Sequence, residues 1–324
     1  MRRARGRGGS VRVAAVDIGT VTTRLLVADV RDGRLDEVLR RSEITHLGEG
    51  LDASGRLTAD AVRRVVEAVA GYAADAERLG VERTVALATS AARDAANAET
   101  LLGPLAGLGI RPKVIPGDRE AALSFLGATY EMDGEGILVA DPGGGSTELV
   151  YGAVERSQGA RRVRIDAARS IDVGARRMTE RYLHSDPPTP AELEAARAWA
   201  VAEFRPYFDA LRERPEVLVT LAGTATTLAA VKQGLDPYDS SRIHGFELTG
   251  ADVADGLEMF AALPLAERRG IVGLEPARAS VIVGGTLVIE IVMSLAGVDS
   301  TLVSEHDILY GIALDAAASE GPGR

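Results

Sequence analysis

The chain contains no cysteine, which excludes disulfides, thiolate nucleophiles and thiolate metal sites. Its four histidines, His46, His184, His244 and His306, show no metal-ligand spacing along the sequence, so zinc chemistry is not expected. Lysine is nearly missing. Lys113 and Lys232 are the only two, and neither follows a glycine, so the G-x-x-x-x-G-K-[ST] phosphate loop is excluded. G-x-G-x-x-G is absent as well. No apolar run approaches the roughly 20 residues needed to cross a bilayer. Arg2, Arg3, Arg5 and Arg7 precede an apolar stretch that Asp17 interrupts within a few residues, which is not a signal peptide; no membrane partner and a cytoplasmic location are expected. Positive charge is also in deficit: 47 acidic against 37 basic residues give a formal charge of −10. That balance argues against a nucleic-acid surface. A polyanionic ligand would have to be met by local arginines and a metal ion.

What is present is a glycine- and hydroxyl-rich turn that occurs twice. Residues 17 to 26 read DIGTVTTRLL and residues 141 to 150 read DPGGGSTELV, from Asp17 to Asp141 a displacement of 124 residues. The shared pattern is D-x-G-x-x-[ST]-T-[charge]-L. Each copy follows an apolar strand, Val11 to Val16 or Ile137 to Ala140, and precedes another, Leu25 to Val30 or Leu149 to Val154. Glycines let successive backbone N–H groups turn towards one anion, and an acidic residue at the strand end can hold a divalent cation against it. Two related domains presenting one phosphate hairpin each to a shared cleft account for the repeat, and 324 residues suit two domains.

The remaining pattern is α/β. Residues 1–10 are Arg- and Gly-rich and read as a disordered tail. Thr58 caps an amphipathic helix with apolar residues from Ala61 to Leu79 and a stop at Gly80. Strands are expected at Val38 to Thr45, Arg83 to Ala88, Lys113 to Ile115, Ile165 to Val173, Val217 to Leu221 and Ser300 to Val303. A helix starting near Asp118 carries Glu120 in its first turn. Thr189-Pro190-Ala191-Glu192 is a capping box with proline at the first helical position, opening a long helix to about Leu211. Pro276 to Val283 reads as helical, with Gly284-Gly285 interrupting it before an apolar stretch to Ala296. A last helix runs from about Asp307 to Ala318.

In their order, VDIGTVTTRLL, HLGEGLDASGRL, ATSAARDAANAETLL, VIPGDREAALSFLGA, VADPGGGSTELVYG, GARRMTERYLHSDPPT, LAGTATTLAA and EPARASVIVGG resemble the exopolyphosphatase / guanosine pentaphosphate phosphohydrolase family, over roughly residues 12 to 316. The resemblance implies two actin-like (ribonuclease H-like) domains with the active site in the cleft between them: residues 11–124 joined by the C-terminal helix 307–320, and residues 125–306. It implies magnesium dependence, release of the terminal phosphate of polyphosphate or of guanosine pentaphosphate, and a homodimer, for which the apolar stretch Ile282 to Ala296 offers a face. By position, Glu120 matches the general base for the attacking water and Arg93 a cleft arginine. Asp17, Asp141 and Glu148 match acids around the metal. Asp17, Gly19, Thr20 and Thr22 form the first phosphate loop, Gly143, Gly144, Gly145, Ser146 and Thr147 the second, and Gly223 and Thr224 the loop that contacts the far phosphates or a nucleotide.

Phosphoryl transfer to water needs positioning and charge neutralisation with one carboxylate to orient the water, which this set supplies. The arginines at 161, 162, 164, 176 and 177 read either as a polyphosphate track or as a solvated strand face. The family commonly has asparagine at the place of Val21, aspartate at that of Ser280, and a leucine-arginine-glutamate-glycine run at that of Ser304 to Asp307. A slow phosphatase whose Val21→Asn variant gains activity is the expectation from Val21. A regulatory protein that binds alarmone or polyphosphate, and an actin-like small-molecule kinase, are the alternatives.

Overall fold

The computed structural model describes residues 10–157 and 160–318. The expected disordered tail, save Ser10, lies outside them. Two sheets carry the molecule. The first comprises β1 (Val11–Ile18), β2 (Thr22–Arg31), β3 (Arg34–Ile44), β4 (Arg83–Ala88) and β5 (Lys113–Val114) in the order β3-β2-β1-β4-β5. Here β1, β2 and β3 are antiparallel neighbours, and β4 and β5 continue parallel to β1. The second comprises β6 (Gly134–Pro142), β7 (Thr147–Ser157), β8 (Ala160–Ile171), β9 (Val217–Thr220), β10 (Glu247–Thr249) and β11 (Ser300–Val303) in the order β10-β11-β9-β6-β7-β8. Without β10, its strands run 3-2-1-4-5 as in the first sheet, with β6 and β7 in the places of β1 and β2. The repeat seen in two turns therefore extends over both halves, and the fold is α/β with two actin-like domains.

The central strands are apolar without alternation because helices cover both faces of each sheet: Val13, Ala14, Ala15 and Val16 are all at most 1% exposed. The helix Ala59–Arg78 buries Ala61, Val62, Val65, Val69, Tyr72 and Ala76, and Thr58 caps it by accepting from Ala61 N–H. Pro190–Ala210 begins with the full capping box of Thr189 and Glu192.

The chain passes between the halves twice, along the helix Gly117–Ala128 and into the helix Ile308–Ala318. Position 124 lies inside the first of these, which packs on the second and on β7 and β8. The two meet backbone to backbone. A Cβ on Gly127 would stand 1.8 Å from the Asp307 carbonyl oxygen, and one on Gly311 would stand 2.0 Å from that of Leu123.

Two sequence expectations fail in the second half. Pro276–Arg278 forms only a 3-10 turn, and Gly284-Gly285 does not interrupt anything, since Ile282–Ala296 is one continuous helix. The glycines are there for approach: a Cβ at 284 would lie 2.6 Å from the Ala175 carbonyl oxygen and one at 285 would lie 2.2 Å from Thr224 Oγ1. The same helix is sunk in the second core, with Ile282, Leu287 and Val288 fully buried, so it offers no dimer face. Among the described residues, no helix is long and apolar enough to cross a membrane.

The glycine crossing gives a direct test. Overpacking at a site with no room typically costs 1–3 kcal/mol and occasionally more, so Gly127→Ala should lower stability by about 2 kcal/mol or more in urea unfolding. An unchanged midpoint would mean that the two helices separate freely.

Candidate active site

Both hairpins place their acid opposite their charged residue: Asp17 pairs with Arg24 across β1 and β2, and Asp141 with Glu148 across β6 and β7. One position in the repeat thus carries opposite signs, and the two hairpins diverge electrostatically. In the first, Arg24 reaches Asp17 Oδ2 at 2.6 Å and Asp307 Oδ2 at 2.6 Å, and Arg40 adds a 3.0 Å contact to Asp307. Against the opposing effect of burial, Arg24 and Arg40 hold the Asp307 carboxyl below the usual range. In the second, hydroxyls stand in for cations. Ser124 donates to Asp141 at 2.7 Å, while Ser146 and Ser170 donate to Glu148 at 2.8 and 2.6 Å.

One cavity lies between the hairpins. Asp17, Gly19, Thr20 and Thr22 line it from the first loop, and Asp141, Gly143, Gly144, Gly145, Ser146 and Glu148 from the second; Glu120, Gly223 and Thr224 complete it. Thr147 does not join them. Its hydroxyl donates to the Val173 carbonyl and the residue is fully buried, which gives it a place in the sheet instead of at the phosphate. Arg93 is set back from the lining: its Nη1 donates to Glu120 Oε2 at 3.1 Å and to the Ile115 carbonyl at 3.1 Å. It steadies Glu120.

Burial drives the carboxylate pKa values upward. Glu120 is pushed up to about 7 by burial, with Asp17 and Asp141 adding to it and Arg93 opposing. Asp141 rises to about 6 from burial, opposed by Arg24 and the Ser124 hydroxyl. Glu148 is raised well above its ordinary value by burial and by Glu120 and Asp141. Asp17 is raised by burial despite Arg24, and its Oδ1 is buried without a hydrogen-bond partner.

These acids fit a divalent cation, because the cavity holds more negative charge than its arginines offset and leaves one oxygen unpaired. Asp17, Asp141 and Glu148 do not make a compact three-ligand cage, however. Among the described residues, the one set of three His, Asp or Glu side chains with ligand atoms within 4.8 Å of one another is Glu131, His244 and His306. Magnesium suits the cavity acids, since it keeps several waters and takes one or two carboxylates plus phosphate oxygens. The Glu131 cluster corrects the histidine reading: sequence spacing hid two imidazoles that the fold brings together.

Two arginines carry no sign of their role in the sequence: Arg24 is only the charge of the repeated pattern, and Arg278 lies within EPARASVIVGG. The half-buried Arg278 guanidinium has its nearest carboxylate, Glu275, 4.0 Å away, and it rests on Gly223, where a Cβ would fall 1.8 Å from Nη1. It faces both the cavity and an adjoining groove of about 820 Å³. Of the arginines read as a track or a strand face, Arg164 pairs with Glu135 at 2.6 Å on β8, and Arg161 donates to the Thr129 carbonyl at 2.8 Å. Arg177 instead spans the cleft, reaching Asp52 at 2.8 Å, Asp94, and the Gly145 carbonyl at 2.7 Å. Val21 lines the cavity but is only 6% exposed, and it clusters with Ala175 and Val281 from the opposite half.

Comparison with known proteins settles the family. The model of the Ppx/GppA phosphatase family matches residues 26–316. The chain belongs to that family. It is 40% identical to "Exopolyphosphatase 2" of Mycobacterium tuberculosis over 94% of this chain and 98% of that protein. The crystal structure of an exopolyphosphatase-like protein is 34% identical with a TM-score of 0.89, covering 96% of this chain and 98% of that one. The Aquifex aeolicus member of the Ppx/GppA family is 30% identical with a TM-score of 0.78, covering 97% and 100%.

Two outcomes follow from this geometry. Glu120 and Asp141, raised from 4.5 and 3.8 to about 7 and about 6, bind protons in the folded state that the unfolded chain has already lost, so their contribution to stability falls as pH rises through those values. His46 and His306, lowered by burial from 6.5 to about 4, oppose it below pH 6.5. In EDTA the melting temperature should therefore drop between about pH 6.5 and pH 7.5, and Mg²⁺ should recover much of the loss; a flat metal-free profile there contradicts the raised Glu120 carboxyl. Val21→Asn would bury an amide in the Ala175–Val281 contact, which costs roughly 1–3 kcal/mol without a partner. Urea unfolding of the variant reads that loss directly, and an unchanged stability would show that the amide turns into the cavity.

Proposed function

We propose that the protein is a cytoplasmic, Mg²⁺-dependent phosphohydrolase that removes the terminal phosphate of inorganic polyphosphate, with guanosine pentaphosphate as a second substrate. The observation that carries this reading is Glu120, a buried carboxyl with a pKa of about 7, set between two facing phosphate hairpins in a single cavity. A general base works best with a pKa near the working pH. The likeness to "Exopolyphosphatase 2" favours polyphosphate.

In this reading the backbone N–H groups of Gly144, Gly145 and Ser146 and of Thr20 receive the terminal phosphoryl oxygens, while those of Gly19 and Gly143 close the turns by donating to the Thr22 and Asp141 carbonyls, and Gly223, Thr224 and Arg278 hold the phosphates behind it. Glu120, fixed by Arg93, accepts a hydrogen bond from the water. As the water oxygen bonds to phosphorus, the bond to the bridging oxygen breaks, Glu120 takes the water's proton, and the shortened chain leaves as an oxyanion. Orthophosphate is the other product. Asp17, Asp141 and Glu148 would hold Mg²⁺, which when bound supplies charge neutralisation for the phosphoryl oxygens. The groove beside the cavity is lined by acids as well as arginines, and its Arg40 and Arg41 are already paired with acids; Arg269 and Arg278 are the cations left in this reading for the rest of a polyanionic chain.

Orthophosphate release from polyphosphate and from guanosine pentaphosphate, each with Mg²⁺ and with EDTA, tests the assignment. Metal-dependent release is expected from polyphosphate; binding without turnover would favour the regulatory alternative. Glu120→Gln keeps the size but cannot take the proton, so kcat should fall about 10²-fold or more with KM little changed. Near wild-type turnover would remove Glu120 from the mechanism.

A further inference from the structure

We propose that Glu131, His244 and His306 form a second metal site, for a transition-metal ion of the zinc class, at the hinge between the two halves. Their positions carry the idea. Glu131 lies just beyond the helix Gly117–Ala128, where the chain first leaves for β6, and His306 lies just before Ile308–Ala318, where it returns. His244 follows the short helical turn Ser240–Ile243 of the second half. An ion shared by the three would tie both chain crossings to the second domain. The site is separate from the phosphate cavity, whose lining includes none of these residues.

The chemistry selects the ion. Two imidazoles and one carboxylate suit zinc, nickel or copper, whereas magnesium prefers oxygen ligands. The ligand atoms of all three residues lie within 4.8 Å of one another. Glu131 Oε2 and His244 Nε2 are 3.4 Å apart, long for a hydrogen bond but close to the ~3.3 Å edge of a tetrahedron with bonds of about 2.0–2.1 Å. His306 is packed between His244 and Tyr310, with ring centroids 4.1 Å from each. Its Nδ1 is buried and has no hydrogen-bond partner.

Occupancy would also be felt in the groove. The Glu305 N–H donates to His244 Nδ1 at 3.2 Å, which puts the proton of the free, neutral ring on Nε2. An ion at Nε2 shifts that proton to Nδ1 and frees the Glu305 amide; no proton is released. The Glu305 side chain bonds the Tyr238 hydroxyl and faces Arg40, and all three residues line the groove.

The test is metal binding by the full chain after stripping with a chelator, and it does not depend on turnover. Titrating Zn²⁺ calorimetrically in excess Mg²⁺, which occupies the cavity acids, should give one ion per chain. Co²⁺ in its place should show the visible absorption of a tetrahedral N/O site. Glu131→Gln, at an exposed position, and His306→Gln should each weaken Zn²⁺ at least tenfold, while Asp141→Asn should leave it unchanged. Absence of Zn²⁺ binding, equal affinity in Glu131→Gln, or loss in Asp141→Asn would each overturn the site and leave the three residues as a packed imidazole stack.

Discussion

An excess of buried negative charge is the constraint on which the rest of this structure depends. Asp17, Glu120, Asp141 and Glu148 are each no more than 8% exposed and share one cavity, although desolvating a carboxylate is among the costliest things a fold can do. The protein divides the problem between its two copies of one hairpin. The first copy places Arg24 across the ladder from its acid, where it opposes the upward push of burial on Asp17, with Asp307 and Arg40 extending the alternation of sign. The second puts Glu148 in the arginine's place and spreads hydroxyls around the pair; burial raises the proton affinity of both acids, and the hydroxyls hold that rise back without pairing the charge. Asymmetry between related hairpins thus leaves Asp17 beside an arginine, with Oδ1 still unpartnered, and Asp141 and Glu148 among hydroxyls.

Holding such a site together falls to contacts elsewhere. The halves are joined where Gly127 and Gly311 allow two helices to touch through their backbones, and they are joined again across the mouth by Arg177 and its acids. Exposed ion pairs contribute little, about 0–1 kcal/mol. The Arg177 and Asp52 side chains, however, are only 13% and 16% exposed, and Arg177 also bonds the Gly145 carbonyl of the second loop. This contact therefore fixes the loop as well as the cleft. Val21 belongs to the same group: its methyls make an apolar contact beside the first turn with Ala175 and Val281 of the other half, which adds cohesion between the halves.

Much of this was legible in the sequence, because the relevant signals are local. The 124-residue repeat exposed the two hairpins, strand composition gave most of the sheet, and the Thr189–Glu192 capping box placed a helix start to the residue. What was missed depends on the third dimension. Gly284 and Gly285 read as a break because glycine lowers helix propensity, yet both are needed by a neighbouring backbone or side chain that no local pattern reveals. Thr147 sits in the loop motif, but its position on β7 turns the hydroxyl towards Val173. Arg278 and the His244–His306 pair come from segments far from either hairpin, so spacing along the chain carried no sign of them.

The charge excess also decides how a protein of net charge −10 can receive a polyanion. A phosphate charge brought to 4 Å from an unpaired carboxylate meets a repulsion of roughly 1 kcal/mol in water and about 4 kcal/mol near a protein surface, and several such pairs would arise in this cavity. Arg24 cannot relieve them, because Asp17 and Asp307 already use its charge. Arg278 can, as its nearest acid is 4.0 Å away, but with Asp17 on Arg24 and Glu120 on Arg93 a single guanidinium still faces both Asp141 and Glu148. A polyanion can therefore enter at low electrostatic cost either together with a cation or with protons on the carboxyls; under the proposed mechanism the second course would disarm Glu120 as a base, which favours the first.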